Sequence, residues 1–281
     1  MKKLSLTILL VLTVVFVAGC GNNSNTDNTD TSNNSSAGTN GGTAATAKNS
    51  LEAVKASGKL RIGTEGTYAP FTYHDASGKL TGFDVEIAEE VAKRLGADPE
   101  FSETQWDGLF AGLDAKRFDV IFNEVSINEE RKAKYDFSEP YIVSKAVLIV
   151  SENNEDIKAF ADLKGKKSGQ SLTSNLSEIA RENGAEIVAV DGFNQAVDLL
   201  TSGRIDATVN DGLSYLDLKK QKPDVKIKVV DEIPNGSESA AVFLKGNDDL
   251  VKAVSDAIIE MKSDGTYLKI SEKYFGADVS K

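Results

Sequence analysis

The chain has 281 residues, enough for one large domain or two modest ones, and its 40% apolar, 27% charged composition excludes a disordered or fibrous protein. Lys and Arg number 32 against 43 Asp and Glu, a net charge of −11, which argues against nucleic acid or an anionic lipid surface as partner because both call for a basic face. One Cys and one His leave no internal disulfide and next to no room for a Cys/His zinc site or a Cys–His dyad.

In chain order the first element is an address. Lys2 and Lys3 precede the apolar run Leu4 to Val17, followed by Val17-Ala18-Gly19-Cys20. Charge, apolar core and small residues before a cut site mark residues 1–19 as a secretory signal, too short for a settled transmembrane helix. Cys20 stands where the mature chain would begin, and the tetrapeptide resembles the lipobox of bacterial lipoproteins, in which that thiol receives a diacylglyceryl group. Residues 20–50 then read as lipidated Cys and tether. Of residues 21–50, 23 are Asn, Ser, Thr or Gly, and none is aromatic. Such a segment buries too little apolar surface to offset its ordering entropy, so a disordered leash of roughly 30 Å root-mean-square span is expected. The expected location is the outer face of the cell membrane.

From Lys59 strand and helix signals alternate. Lys59–Glu65 reads as a strand, and Phe71–Phe83 as a hairpin turning on Asp75-Ala76-Ser77-Gly78. Asp84 is expected to cap a helix with Ile87, Ala88, Val91, Ala92 and Leu95 on one face and Gly96 at its end. Next come a strand near Pro99–Ser102, a helix Asp107–Lys116 and a strand Asp119–Asn123. After Val150 the pattern resumes with a helix from about Asn175, then Val188–Val190, Asn194–Ser202 and Asp206–Asn210. Leu250, Val254, Ala257, Ile258 and Met261 share the stripe of a final helix. The order predicts an α/β protein with mostly parallel sheet and helices on both faces.

Trp106–Val125 and Phe193–Gly212, compared without gaps, share Leu113/Leu200, Arg117/Arg204, Asp119/Asp206 and Asn123/Asn210, with Glu124/Asp211 conservative. Three of the identities cluster at the helix-to-strand junction and the strand's carboxyl end, where open α/β sheets bind ligands. One helix–strand unit per half is therefore expected, with Asn123-Glu124 and Asn210-Asp211 lining one cleft from opposite sides.

Catalytic motifs are missing. No GxxxxGK[ST], GxGxxG or GxSxG occurs, and His74 beside the hairpin turn reads as a solvated residue. A binder rather than an enzyme is expected, monomeric, with no cofactor, no metal and no nucleic acid.

Several segments together carry a family likeness: Gly63-Thr64-Glu65-Gly66-Thr67-Tyr68-Ala69-Pro70-Phe71, Gly82-Phe83-Asp84-Val85, Trp106-Asp107-Gly108-Leu109, and Arg131 followed by Asp136-Phe137-Ser138-Glu139-Pro140-Tyr141. Asp162-Leu163-Lys164-Gly165-Lys166, Gly203-Arg204-Ile205-Asp206-Ala207 and Asp264-Gly265-Thr266 ahead of Phe275-Gly276 extend it. From about Lys59 to Gly276 the chain resembles the amino-acid-binding proteins of ABC importers, in the polar amino acid branch of the periplasmic-binding-protein fold. Gly169–Asn175 and Asn210–Leu213 look most like the cystine-binding lipoproteins of Gram-positive bacteria. The resemblance implies two lobes, 51–144 with 238–281 and 145–237, each a mixed, mostly parallel sheet flanked by helices. Two hinge strands near Tyr141–Lys145 and Ser237–Ala241 would join them and let them close on the ligand. It also implies delivery of the solute, cystine favoured, to a membrane permease powered by a separate ATPase. The alternatives are an arginine- or glutamine-type binder, a dehydratase-like enzyme on the same fold, and a sensor or adhesin.

A free amino acid is a zwitterion, and burying either charge unpaired costs several kcal/mol. By the resemblance, Arg131 clamps the α-carboxylate with a planar fork that Lys cannot reproduce, helped by the hydroxyl and N–H of Ser126. Ser174 and Asn175 are expected at a helix start, with Glu178 completing a capping box on Asn175, where free N–H groups favour an anion. Asp211 matches the family's acid for the α-ammonium, while Glu124 departs from a position usually small or neutral. Tyr68 and Trp106 match the aromatic pair that sandwiches the side chain. Glu65, Ser171, Thr173 and Asn210 are the candidates for reading the side chain's far end.

Overall fold

The computed structural model describes residues 50–281, so the expected signal, Cys20 and nearly all of the tether lie outside the described residues. Ser50 opens the helix Ser50–Ser57, and its hydroxyl donates to Asp249 at 2.6 Å.

Two five-stranded sheets carry the body. The first runs in spatial order Asp98–Glu103, Lys59–Thr64, Val120–Ile121, Val242–Leu244, Tyr135–Phe137. The second runs Glu186–Ala189, Lys167–Gln170, Ala207–Asp211, Ala146–Ser151, Ile227–Glu232. In each the first three strands are parallel and the fourth is antiparallel to both of its neighbours. Both sheets are thus mixed, with one reversed strand at the same place. The chain leaves the first sheet along Ile142–Ser144 and returns along Ser237–Ser239, and these two strands pair antiparallel with each other.

The internal repeat has a structural basis. Its helices, Trp106–Asp114 and Phe193–Thr201, have equal length and pack against equivalent strands. At the strand entrances the Asp119 carboxylate accepts the Arg61 N–H at 3.1 Å, and Asp206 accepts that of Lys167 at 2.7 Å. Each acid thereby ties its own strand to the preceding one. Gly63 and Gly169 also play matching parts: a Cβ would stand 2.4 Å from the Phe118 ring in one half and 2.7 Å from Ile205 in the other. A larger residue at either place would push the crossing chain off the sheet.

Apolar clusters cover both faces of each sheet. Leu60, Ile62 and Phe243 pack with Ile87, Val91, Val254 and Ile258 from the helices Phe83–Arg94 and Asp248–Asp264. Leu109, Leu113 and Phe118 close the opposite face. In the second sheet Ile149 packs with Phe193, Val197 and Leu200, and Leu148 and Val209 pack with Ala180 and Leu163.

Three expectations are corrected. Asp84 does not cap its helix: Gly82, at φ 133° and with no room for a Cβ beside Phe71 O, precedes the first helical residue, and Asp84 is buried beneath the cleft. The strand expected over Asp119–Asn123 is regular only at Val120–Ile121, because Glu124 turns into the left-handed region at φ 50°. The helix cap expected from Asn175 and Glu178 is instead Ser174, whose hydroxyl accepts the Ser177 N–H at 3.0 Å. His74 is exposed as expected, at the end of the strand Thr72–His74 beside the turn, with Nε2 3.3 Å from Glu103.

Candidate functional site

The carboxyl ends of both sheets face one cavity, whose wall includes Glu65, Tyr68, Trp106, Glu124 and Ser126 from the first half. Gln170, Ser171, Ser174, Asn175, Phe193 and Asp211 face them from the second. The space left between these walls is about 60 Å³.

Hydrogen bonds cross the cleft and hold the halves together. Tyr68 Oη donates to Asn210 Oδ1 at 2.9 Å, Asn175 Nδ2 to Ser126 Oγ at 3.3 Å, and Ser214 Oγ to Ala69 O at 2.7 Å. At the rim the Asp107 carboxylate accepts the Leu172 and Thr173 N–H groups and the Thr173 hydroxyl, at 3.1, 2.9 and 2.6 Å. The lobes are closed.

Arg131 lies on the short helix Glu129–Lys134, capped by Asn128. Its guanidinium stacks 5.2 Å from the Trp106 ring and 5.5 Å from Phe110, donates to Ser126 O at 2.8 Å and reaches Asn175 Oδ1 at 3.3 Å. Only 7% of the residue is exposed, and among the described residues it forms no ion pair. Burial pulls it down to about 10, against the attraction of Glu124, Glu130 and Glu178. It stands one layer behind the wall, backing Ser126, Asn175 and Trp106.

Across the cavity the imbalance has the opposite sign. Asp211 ends the strand Ala207–Asp211 and caps the helix Gly212–Gln221, its Oδ1 accepting the Leu213 and Ser214 N–H groups at 2.8 and 3.4 Å. Its other oxygen accepts the Ser144 hydroxyl. Glu124 receives Ser239 Oγ at 3.1 Å and has Ser144 Oγ at 3.3 Å. Its left-handed backbone is fixed from behind by Asp84, whose carboxylate accepts the Glu124 N–H and the Tyr141 hydroxyl. Glu65 accepts Asn123 Nδ2 at 2.6 Å. Burial is the largest cause of a raised carboxyl in all four, to about 7 in Glu65 and Asp84, to about 6 in Asp211 and well upward in Glu124.

Of the expected ligand contacts, Arg131, Thr173 and Asn210 are not on the cavity wall. Thr173 is turned outward to Asp107, and Asn210 is occupied behind the wall by Tyr68 and the Asp211 N–H. Trp106 and Tyr68 do line it, and the Trp106 Nε1–H is a buried donor without a partner among the described residues. The sequence reading missed Phe193 and Gln170 on the wall, and Ser144 and Ser239 on the hinge strands. Phe193 had a signal, since it is the repeat counterpart of Trp106; single serines in a hinge had none.

Residues 60–277 match the family described as bacterial extracellular solute-binding proteins, family 3. The chain is 49% identical over 230 residues to the L-cystine-binding protein TcyA of Bacillus subtilis, spanning 82% of this chain and 85% of that one. Among solved structures it is similar to the L-cystine solute receptor of Neisseria gonorrhoeae in its unliganded open conformation, 49% identical, TM-score 0.56, covering 82% of this chain and 98% of the other. An ancestral arginine-binding protein bound to arginine is 40% identical with TM-score 0.73, covering 78% and 98%. The overlay is better with the less identical, liganded protein, as expected when the hinge angle rather than the lobes differs.

Proposed function

Because the chain belongs to family 3 of the bacterial extracellular solute-binding proteins, we propose that it captures a free amino acid, cystine foremost, and delivers it to a membrane importer. One observation carries the reading. A buried guanidinium backs one side of a cleft whose other side holds buried carboxylates, and among the described residues the first has no counter-ion and the second no cation. Each imbalance costs free energy in the closed protein, and a single dipolar solute relieves both at once. The α-carboxylate takes Arg131, Ser126 and the start of the helix Asn175–Glu182; the α-ammonium takes Asp211 and Glu124. Tyr68 and Trp106 flank the side chain. Glu65, Gln170 and Ser171 supply polar groups beyond the clamp for the second zwitterion of cystine, the solute named for two of the relatives described above.

Calorimetric titration with the twenty amino acids and cystine tests this, with quenching of the sole Trp, Trp106, as a second readout. Cystine is expected to bind with a micromolar or lower Kd, about −8 kcal/mol or better, and saturation at 100 times Kd adds about 2.7 kcal/mol of stability. An unchanged melting temperature across the whole panel removes the proposal. Tight arginine binding without cystine binding replaces the solute and assigns Glu65 to its basic end.

The same proposal puts the protein outside the cell, held by lipid on Cys20 through the tether expected over residues 20–50. Cys20→Ser is expected to move the protein from the membrane fraction to the soluble one without altering its affinity. Retention in the membrane would refute the anchor.

A further inference from the structure

The two repeat-related acids meet at one hydroxyl. Ser144 Oγ, on the outgoing hinge strand, lies 3.3 Å from Glu124 Oε1 and within hydrogen-bond reach of Asp211 Oδ2. A hydroxyl has one proton to donate. With both carboxylates ionised it satisfies one and turns a lone pair toward the other. Both contacts are made together only when one carboxyl carries a proton and donates it back to Ser144 Oγ. No cation among the described residues pairs with either acid: Ser239 Oγ gives Glu124 a further neutral donor, the Leu213 and Ser214 N–H groups serve Asp211, and Arg131 attracts Glu124 without bonding to it. The remaining titratable groups around the pair, Asp84 and Glu65 among the acids and the phenols Tyr68 and Tyr141, add no positive charge. Glu124 comes from one lobe, Asp211 from the other, and Ser144 from the strand between them.

We propose that Glu124, Ser144 and Asp211 form a single-charge lock across the hinge: the closed protein holds one positive charge there, a proton before the solute arrives and the solute's ammonium afterwards. The inference rests on the reading that an ammonium enters at Asp211, and adds that closure and solute capture are linked to a proton through Glu124. When the lobes part, both acids are solvated and return toward the ordinary carboxylate range near 4. Closing the unliganded protein therefore takes up a proton, and falling pH favours closure through the window between about 4 and the raised closed-state values, about 6 for Asp211, with Glu124 also well raised by burial. Solutes lacking an ammonium have nothing to exchange for that proton and are rejected at neutral pH.

Two measurements on the full folded body test this. First, small-angle scattering of the unliganded protein at pH 8.0 and 5.5 is expected to show compaction at the lower pH. Glu124→Gln, whose amide donates to Ser144 permanently, is expected to be equally compact at both. Equal compaction of the wild type at the two pH values, or a Glu124→Gln variant that titrates like it, overturns the lock. Second, calorimetry with cystine at pH 6.0 in two buffers of different ionisation enthalpy is expected to show release of up to one proton per site, absent in Glu124→Gln. Binding with no proton exchange overturns the lock while leaving the amino-acid reading intact. Absence of binding removes that reading, and the scattering result still decides whether the hinge pair titrates.

Discussion

Arg131→Lys is expected to weaken amino-acid binding by about 100- to 1,000-fold without unfolding the protein. The guanidinium is sealed between Trp106 and Phe110 and held by Ser126 O, so its free N–H groups keep one direction. A carboxylate arriving between Ser126 and the helix start at Asn175 meets a planar fork that fits both of its oxygens. Lys keeps the charge but presents it as a strongly hydrated point, loses the second parallel bond and stacks less well on the rings. Breaking a buried, hydrogen-bonded charge pair costs about 2–5 kcal/mol, and each 1.4 kcal/mol is tenfold in Kd. The fold has less at stake, since the guanidinium is itself buried without an ion pair and its retention is already costly. Calorimetry gives Kd, and thermal unfolding of the unliganded variant should stay within a few degrees of wild type. A loss below tenfold would mean that the α-carboxylate sits elsewhere.

The fold was legible where one rule dominated. Alternating apolar patterns and Gly punctuation located the strand from Lys59, the helix ended by Gly96 and both helices of the repeat. The repeat was read from four identities, and the structure explains why those persisted: Asp119 and Asp206 tie strand entrances, while Asn123 and Asn210 support the cleft floor. Failures fell where tertiary demand overrode local preference. Asp84 looked like a cap because Asp before an apolar run usually is one. Here a buried carboxylate is needed to fix the left-handed backbone of Glu124, a burden no local pattern reveals. Thr173 and Ser171 looked equivalent in sequence, yet a turn between them sends one to the rim and the other to the wall. Ser144 and Ser239 were invisible because a hydroxyl gains meaning only from the two carboxylates that the fold brings to it.

Asp211→Asn and Asp211→Ala are expected to lose binding alike, by about 100-fold or more, while moving stability in different directions. Asp211 has two separate duties: Oδ1 caps the helix Gly212–Gln221, and Oδ2 faces Ser144 and the solute's ammonium. Asn caps nearly as well as Asp, so the first duty survives and the second goes. The unliganded variant also sheds a penalty. The Asp211 carboxyl is raised to about 6 by burial, so between about pH 4 and 6 the folded state binds more protons than the unfolded chain. Stability therefore falls as pH rises through that window, and the ionised, destabilised form is the one present at pH 7 and above. Asn does not titrate there. Its melting temperature at pH 7.5 is expected to exceed that of the wild type by about 2–4 °C, the effect of roughly 1 kcal/mol in a domain of this size, with a flatter pH profile. Ala removes the charge and the cap together, and the lost cap costs about 1 kcal/mol. Two variants equally unable to bind should therefore differ in unfolding temperature, with Asn above Ala. Should Asp211→Asn keep its affinity within tenfold, the ammonium must be held by Glu124 alone. Should it melt below the wild type, the buried carboxylate is stabilising and the hinge holds no unbalanced charge.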